Sequence, residues 1–108
     1  MAKPVRMLVS YFPKKGKERK LLTLIRKHWP ALKRVGLVSK MPPHIYRATD
    51  KRTNRRYFVE MFEWRDDQAS GIAHRTPDVM AIWEPMGPLL ENLQLSRIER
   101  IPLLLTKT

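Results

Sequence analysis

Glu60, His74, Phe58, Phe62, Trp64 and Trp83 are the residues whose types and spacing suit a common chemistry. Glu60 lies in the run Phe58-Val59-Glu60-Met61-Phe62-Glu63-Trp64, where strand alternation puts it on one face with Phe58, Phe62 and Trp64. A carboxylate set into an aromatic wall is a candidate general base. Its structural alternative is an ion pair across the sheet to Arg6 or Arg97, or a pair at a subunit seam. His74 follows in the next connection, where a neutral imidazole can accept a proton or steer a phenol; alternatively it is a hydrogen-bonded structural residue. Trp64 and Trp83 offer faces on which a flat aromatic ligand could stack, or they fill the core.

Other chemistries find less support. His28 falls within an apolar helical stripe and His44 follows Pro42-Pro43, so neither joins His74 in a metal-ligand spacing, and the 108-residue chain has no cysteine. Ser10, Ser39, Ser70 and Ser96 lack the glycine pattern of a nucleophile elbow, and four glycines in all form no phosphate-binding loop. Neither a metal nor a nucleotide cofactor is therefore expected from the residues.

The elements that must hold these residues can be read from periodicity. Val5 to Phe12 reads as a strand covered on both faces. After the turn Pro13-Lys14-Lys15-Gly16 the period becomes helical, with Leu21, Ile25, His28, Leu32 and Val35 on one stripe. Pro30 is expected to kink that helix and Gly36 to stop it. His44 to Thr49 and Arg56 to Trp64 form a hairpin around Asp50 to Asn54. A short helical turn is expected over Gln68 to His74. Thr76-Pro77-Asp78 starts a further helix with a hydroxyl cap, a proline and a carboxylate in the favoured places. Its buried side is read as Val79, Ile82, Met86, Leu89, Leu90 and Leu93, interrupted at Pro85, Gly87 and Pro88. A last strand is placed around Leu95 to Ile101.

The order strand, helix, strand, strand, helix, strand is the α+β, ferredoxin-like split βαβ pattern (βαββαβ), a four-stranded antiparallel sheet with both helices on one face. The chain is read as a single domain, 1–108, with its core at about 5–101. Tyr57, Val59 and Met61 make the strongest strand apolar on its second parity too. A second copy of the sheet is the economical cover for that face, giving a homodimer closed into an α/β barrel.

Charge adds a second theme. The chain has 22 Lys and Arg against 10 Asp and Glu, and the imbalance is confined to one half: residues 1–56 carry 17 basic and 2 acidic side chains, residues 57–108 carry 5 and 8. Such asymmetry suits a polyanion or a solvated basic helix face. Residues Asn54 to Met61, laid on the third-strand octamer of RNA-recognition modules, match only at Phe58 and Val59, so specific nucleic acid is not expected. No segment approaches the roughly 18 apolar residues of a membrane span, nor is there a signal-type apolar run at the start. The expected setting is the cytoplasm, without a membrane partner.

The run Phe58 to Trp64, the pair Ala73-His74, the helix Pro77 to Met86, and Trp29-Pro30-Ala31-Leu32 with Val35-Gly36-Leu37 together resemble the dimeric α/β-barrel proteins related to antibiotic biosynthesis monooxygenases. The resemblance implies two sheets packed face to face, a pocket inside each protomer, and oxygenation without metal or organic cofactor, the electrons coming from an electron-rich substrate. The haem-degrading branch of that superfamily is less similar: Ser10 stands where its first strand carries asparagine, and Trp83 near where its helix carries histidine. The expected function is thus a cofactor-independent monooxygenase acting on an aromatic or polyketide-like small molecule, with Glu60 and His74 catalytic and Phe58, Phe62, Trp64 and Trp83 around the substrate. The alternative is a non-catalytic ligand-binding or stress-response protein of the same fold.

Overall fold

A computed structural model describes residues 3–103. Strand β1 (Val5–Pro13) leads to helix α1 (Glu18–Arg34), a hairpin of β2 (His44–Thr49) and β3 (Arg56–Trp64), short helix α2 (Ala69–Ala73), helix α3 (Pro77–Met86) and strand β4 (Leu90–Ile98). The sheet is antiparallel in the order β2-β3-β1-β4, the ferredoxin-like arrangement, and its helices lie on one face.

Alternation decides which side chains the helices cover. Val9 sits opposite Glu60 and Tyr11 opposite Phe58, so these four share the covered face with Phe62 and Trp64; all six are buried. From above them α1 contributes Leu21, Ile25, His28 and Leu32, spaced by four, three and four residues as one helical stripe requires. Burying Leu21, Ile25 and Leu32 contributes about 1.5–3 kcal/mol each before entropy is counted. α3 closes the layer with Val79 and Met86.

Helix α1 runs unbroken through Pro30. It ends where Gly36 takes φ +74° and the Leu37 N–H reaches back to the Leu32 carbonyl at 2.9 Å, the bond that closes a Schellman turn. The β2–β3 hairpin turns on Asp50, whose carboxylate accepts the backbone N–H groups of Arg52 and Thr53 at 2.8 and 2.9 Å, with Asn54 in the left-handed region.

Two local expectations need correction. Leu90 and Leu93 belong to β4, which starts at Leu90 and not near Leu95, while Leu89 ends a turn of 3-10 helix over Gly87–Leu89. The spacing of apolar residues from Met86 through Leu89 and Leu90 to Leu93 imitates a helix, but α3 passes through Pro85 and ends at Met86, and Gly87-Pro88 tightens the chain into the 3-10 turn from which β4 starts. Thr76 precedes α3 in extended backbone, yet its hydroxyl donates to the Ile72 carbonyl at 2.7 Å, so it ties α3 to α2 and leaves the helix end uncapped by a side chain.

Candidate functional site

Three polar side chains intrude on the covered apolar layer, and they meet. Tyr11 from β1 donates its hydroxyl proton to Glu60 Oε1 at 2.5 Å, the short distance of a charge-assisted bond. His28 Nδ1 lies 2.9 and 3.1 Å from the two Glu60 oxygens. Trp83 from α3 donates its indole N–H to His28 Nε2 at 2.9 Å. The donor count then fixes the imidazole. An indole nitrogen only donates, so Nε2 must accept, and the one ring proton of neutral His28 sits on Nδ1 and goes to Glu60.

Glu60 is fully buried and His28 almost so. The two Glu60 oxygens are met by a phenol and an imidazole, and no Lys or Arg of the described residues forms an ion pair with them. Buried carboxylates are ordinarily matched by a cation, since desolvating a lone charge is costly. Of the alternative partners, Arg6 pairs with Glu63 at 3.3 Å on the opposite sheet face, and Arg97, opposite Met7 on β4, forms no ion pair with Glu60. The Tyr11 phenol is held well above its ordinary 10.0, first by burial, then by the Glu60 charge and the hydrogen bond to it.

Beside this chain lies a cavity of about 280 Å³ between the sheet and the helices. Phe62, Trp64 and Trp83 give it aromatic walls, and Tyr11, His28, Ser70 and His74 its polar points. Phe62 meets the His28 ring and the Trp64 ring edge to face, at 5.4 and 5.0 Å between centroids. One side is formed by Leu93 and Leu95 of β4, which face the helix layer but remain 41% and 64% exposed because no helix reaches over that edge.

The expected site residues are distributed unevenly around this cavity. Phe62, Trp64, His74 and Trp83 line it. His74 is exposed at its rim, with Nδ1 2.8 Å from the Ser70 carbonyl, to which it donates, and with its ring against Trp83 at 4.8 Å. Glu60 stands behind the wall and touches the cavity's lining through Tyr11 and His28. Phe58 does not line this cavity: it flanks a second one with Arg26, Tyr46 and Arg47, and the Arg47 guanidinium lies over its ring. The reason is register, since Phe58 is four residues along β3 from Phe62 and so lies under the other end of α1. Sequence alone does not single out His28 and Tyr11. The available signal is a polar residue on each of three otherwise apolar faces: Tyr11 on β1, His28 on α1 and Glu60 on β3.

Among the described residues, no three His, Asp or Glu side chains gather as a metal-binding cluster, and no helix is long and apolar enough to cross a membrane. No family model matches the chain, and a search of curated proteins finds no relative. Solved structures do match. A cofactor-independent oxygenase, SnoaB from Streptomyces nogalater, superposes with a TM-score of 0.70 at 13% identity, covering 97% of this chain and 100% of its own. A protein described as an antibiotic biosynthesis monooxygenase gives 0.68 at 16% identity, covering 91% and 99%. A dimeric ferredoxin-like protein of unknown function from Thermobifida fusca gives 0.67 at 11% identity, covering 91% and 92%. At these identities the likeness is one of fold, and over nearly its whole length the chain has the ferredoxin-like fold of the antibiotic biosynthesis monooxygenase-like proteins.

Proposed function

We propose that the chain binds a flat aromatic or lipophilic small molecule in the cavity between sheet and helices, and that it acts as a cofactor-independent monooxygenase on a ligand with an acidic phenol or enol. The supporting observation is the cavity itself: aromatic walls, few polar points, and a buried carboxylate wired to its lining. Sparse polar groups amid apolar ones are the usual make-up of a small-molecule site. Its volume of about 280 Å³ is at the small end of the roughly 300–1,000 Å³ common for such sites, favouring a ligand of one or two rings. The fold shared with SnoaB, described as a cofactor-independent oxygenase, is consistent with this reading.

In the reaction proposed, removal of a proton from the ligand leaves an electron-rich anion that reduces dioxygen directly. An activated CH2 carbon of the ligand becomes C=O; one atom of dioxygen enters the carbon, the other leaves as water, and all four electrons come from the ligand. Glu60 supplies the negative charge behind the wall that favours proton uptake there. His74, with Nδ1 committed to the Ser70 carbonyl, presents Nε2 at the rim and steers the ligand hydroxyl.

Thermal-shift measurements with quinol-like and polyketide-like compounds test binding, and oxygen uptake in metal-free and flavin-free buffer tests turnover. Wild type should be stabilised by one- or two-ring phenols and consume oxygen with them. Glu60→Gln should bind but lose turnover by about 100-fold or more, the scale on which acid–base catalysis fails when the charge supporting proton uptake is removed, and His74→Ala should lose less. Binding without oxygen uptake would leave a non-catalytic ligand-binding protein, and no stabilisation by any compound would overturn the reading.

A further inference from the structure

We infer that the proton acceptor of the cavity is His28 Nε2, that Glu60 is its positioning residue, and that the Trp83 indole N–H is a latch which the ligand hydroxyl must displace. This rests on the cavity being a ligand site, and it names the atom that meets the ligand. His28 is the member of the buried chain that both lines the cavity and has a nitrogen lone pair turned away from Glu60. That lone pair is the one Trp83 occupies at 2.9 Å.

The chemistry of the four groups allows two states. With Trp83 donating to Nε2, His28 cannot take a second proton, because an imidazolium Nε2–H would point at the indole N–H. With Trp83 turned aside, Nε2 is free to accept. A ligand hydroxyl in the cavity can then take the place of the indole as donor and pass its proton on: the ligand O–H bond breaks, an N–H bond forms at Nε2, and the ligand keeps the electron pair as an oxyanion. The imidazolium so formed keeps its Nδ1–H on Glu60, and the buried carboxylate acquires the cation it lacks in the latched state. Trp83 is placed to move, being half-buried on the last full turn of α3, where Pro85 removes a backbone donor and Gly87 follows. Its ring is bounded on the outer side by the exposed His74.

The distinction between a latch and a packing residue is made with a naphthol and its methyl ether, which differ in the hydroxyl proton, against wild type and Trp83→Phe. Phenylalanine keeps an aromatic face and removes the indole donor. The naphthol should bind Trp83→Phe about tenfold more tightly than wild type, the scale of one net hydrogen bond no longer competed for, while the ether's affinity should change little. Imidazole nitrogen-15 spectra give the second readout. In free wild type the His28 Nδ1 should carry the proton and Nε2 should be unprotonated; with naphthol bound Nε2 should shift toward the protonated range, and in Glu60→Gln that shift should be lost. Equal changes for naphthol and ether in Trp83→Phe, or a His28 signal that ignores bound naphthol, would overturn the inference while leaving the cavity as a ligand site. If neither compound binds wild type, the cavity reading fails and the inference fails with it.

Discussion

Tyr11 shows at the scale of one residue how the buried charge is maintained. Its hydroxyl bonds Glu60 at 2.5 Å, and burial beside that charge keeps the phenol protonated well beyond its ordinary 10.0. The folded protein thus retains a proton that the unfolded chain releases as pH rises past about 10. Because the native state then binds more protons than the unfolded one, stability should fall with rising pH in the window above 10 and show no Tyr11-linked slope below it. Urea titrations across that range should show the loss in wild type and a flatter dependence in Tyr11→Phe. At neutral pH Tyr11→Phe should itself cost about 1.5–3 kcal/mol, the range for a hydrogen bond to a charged group. A Tyr11→Phe chain as stable as wild type at neutral pH would mean Glu60 does not depend on the phenol. Sequence shows Glu60 because it interrupts an aromatic strand face, and passes over His28 because one histidine in a helical stripe is ordinary until the strand beneath it is known. The meeting of the two is a tertiary fact: it depends on where α1 crosses β3.

Elements, more than single residues, are legible in the sequence. β1, β3, α1 and the start of α3 follow from alternation, helical spacing and the turn residues between them, and each buries one face, though β1, whose pattern reads as covered on both, leaves Arg6, Leu8 and Ser10 half-buried on the other. β4 is misplaced by periodicity because Leu89, Leu90 and Leu93 continue the helical spacing of Val79, Ile82 and Met86, while β4 itself is exposed over most of its length and offers little alternation to read. The stop of α1 matters to the site because it fixes how much helix stands over the sheet and so where His28 falls. At Gly36, φ is +74° and a side-chain Cβ would meet nothing within 4 Å, so a substitution there is opposed by backbone strain and not by crowding. Gly36→Ala should cost about 1–2 kcal/mol, lowering the melting temperature by several degrees, about 4–8 °C per kcal/mol for a domain of this size. Calorimetry checks it, and an unchanged melting point would show that the turn can relax without its left-handed residue.

On the scale of the whole molecule, the faces α1 and the sheet turn outward carry the remaining predictions. Arg19, Lys20, Arg26, Lys27, Lys33 and Arg34 are all exposed on α1, a solvated basic face whose aromatic, Trp29, is half-buried with the Lys33 ammonium over its ring at 5.0 Å, which leaves no row of open faces for bases to stack on. Oligonucleotide binding should be weak, indifferent to sequence and lost by about 200 mM salt; selective binding that survives such salt would make nucleic acid a partner. The sheet's uncovered face is of another kind. Leu8, Tyr57, Val59 and Met61 are half-buried there, Phe12 stacks on Tyr57 with centroids 4.6 Å apart, and Tyr46 is 56% exposed. Apolar surface spread across three adjacent strands is seldom left bare, and a two-fold axis would pair the same patch with itself, sheet on sheet at about 10 Å. We therefore expect a homodimer closed through this face, with light scattering at micromolar concentration giving twice the 12.8 kDa chain mass. Val59 stands between Ser10 and Tyr46 in the register and points away from the helix layer, so Val59→Glu should leave the protomer's core intact. It would bring two like charges into a dry interface, and the mass should fall to one chain while circular dichroism keeps its helical signal. A wild-type mass near 12.8 kDa would overturn the dimer, and a dimeric Val59→Glu would move its interface to another face.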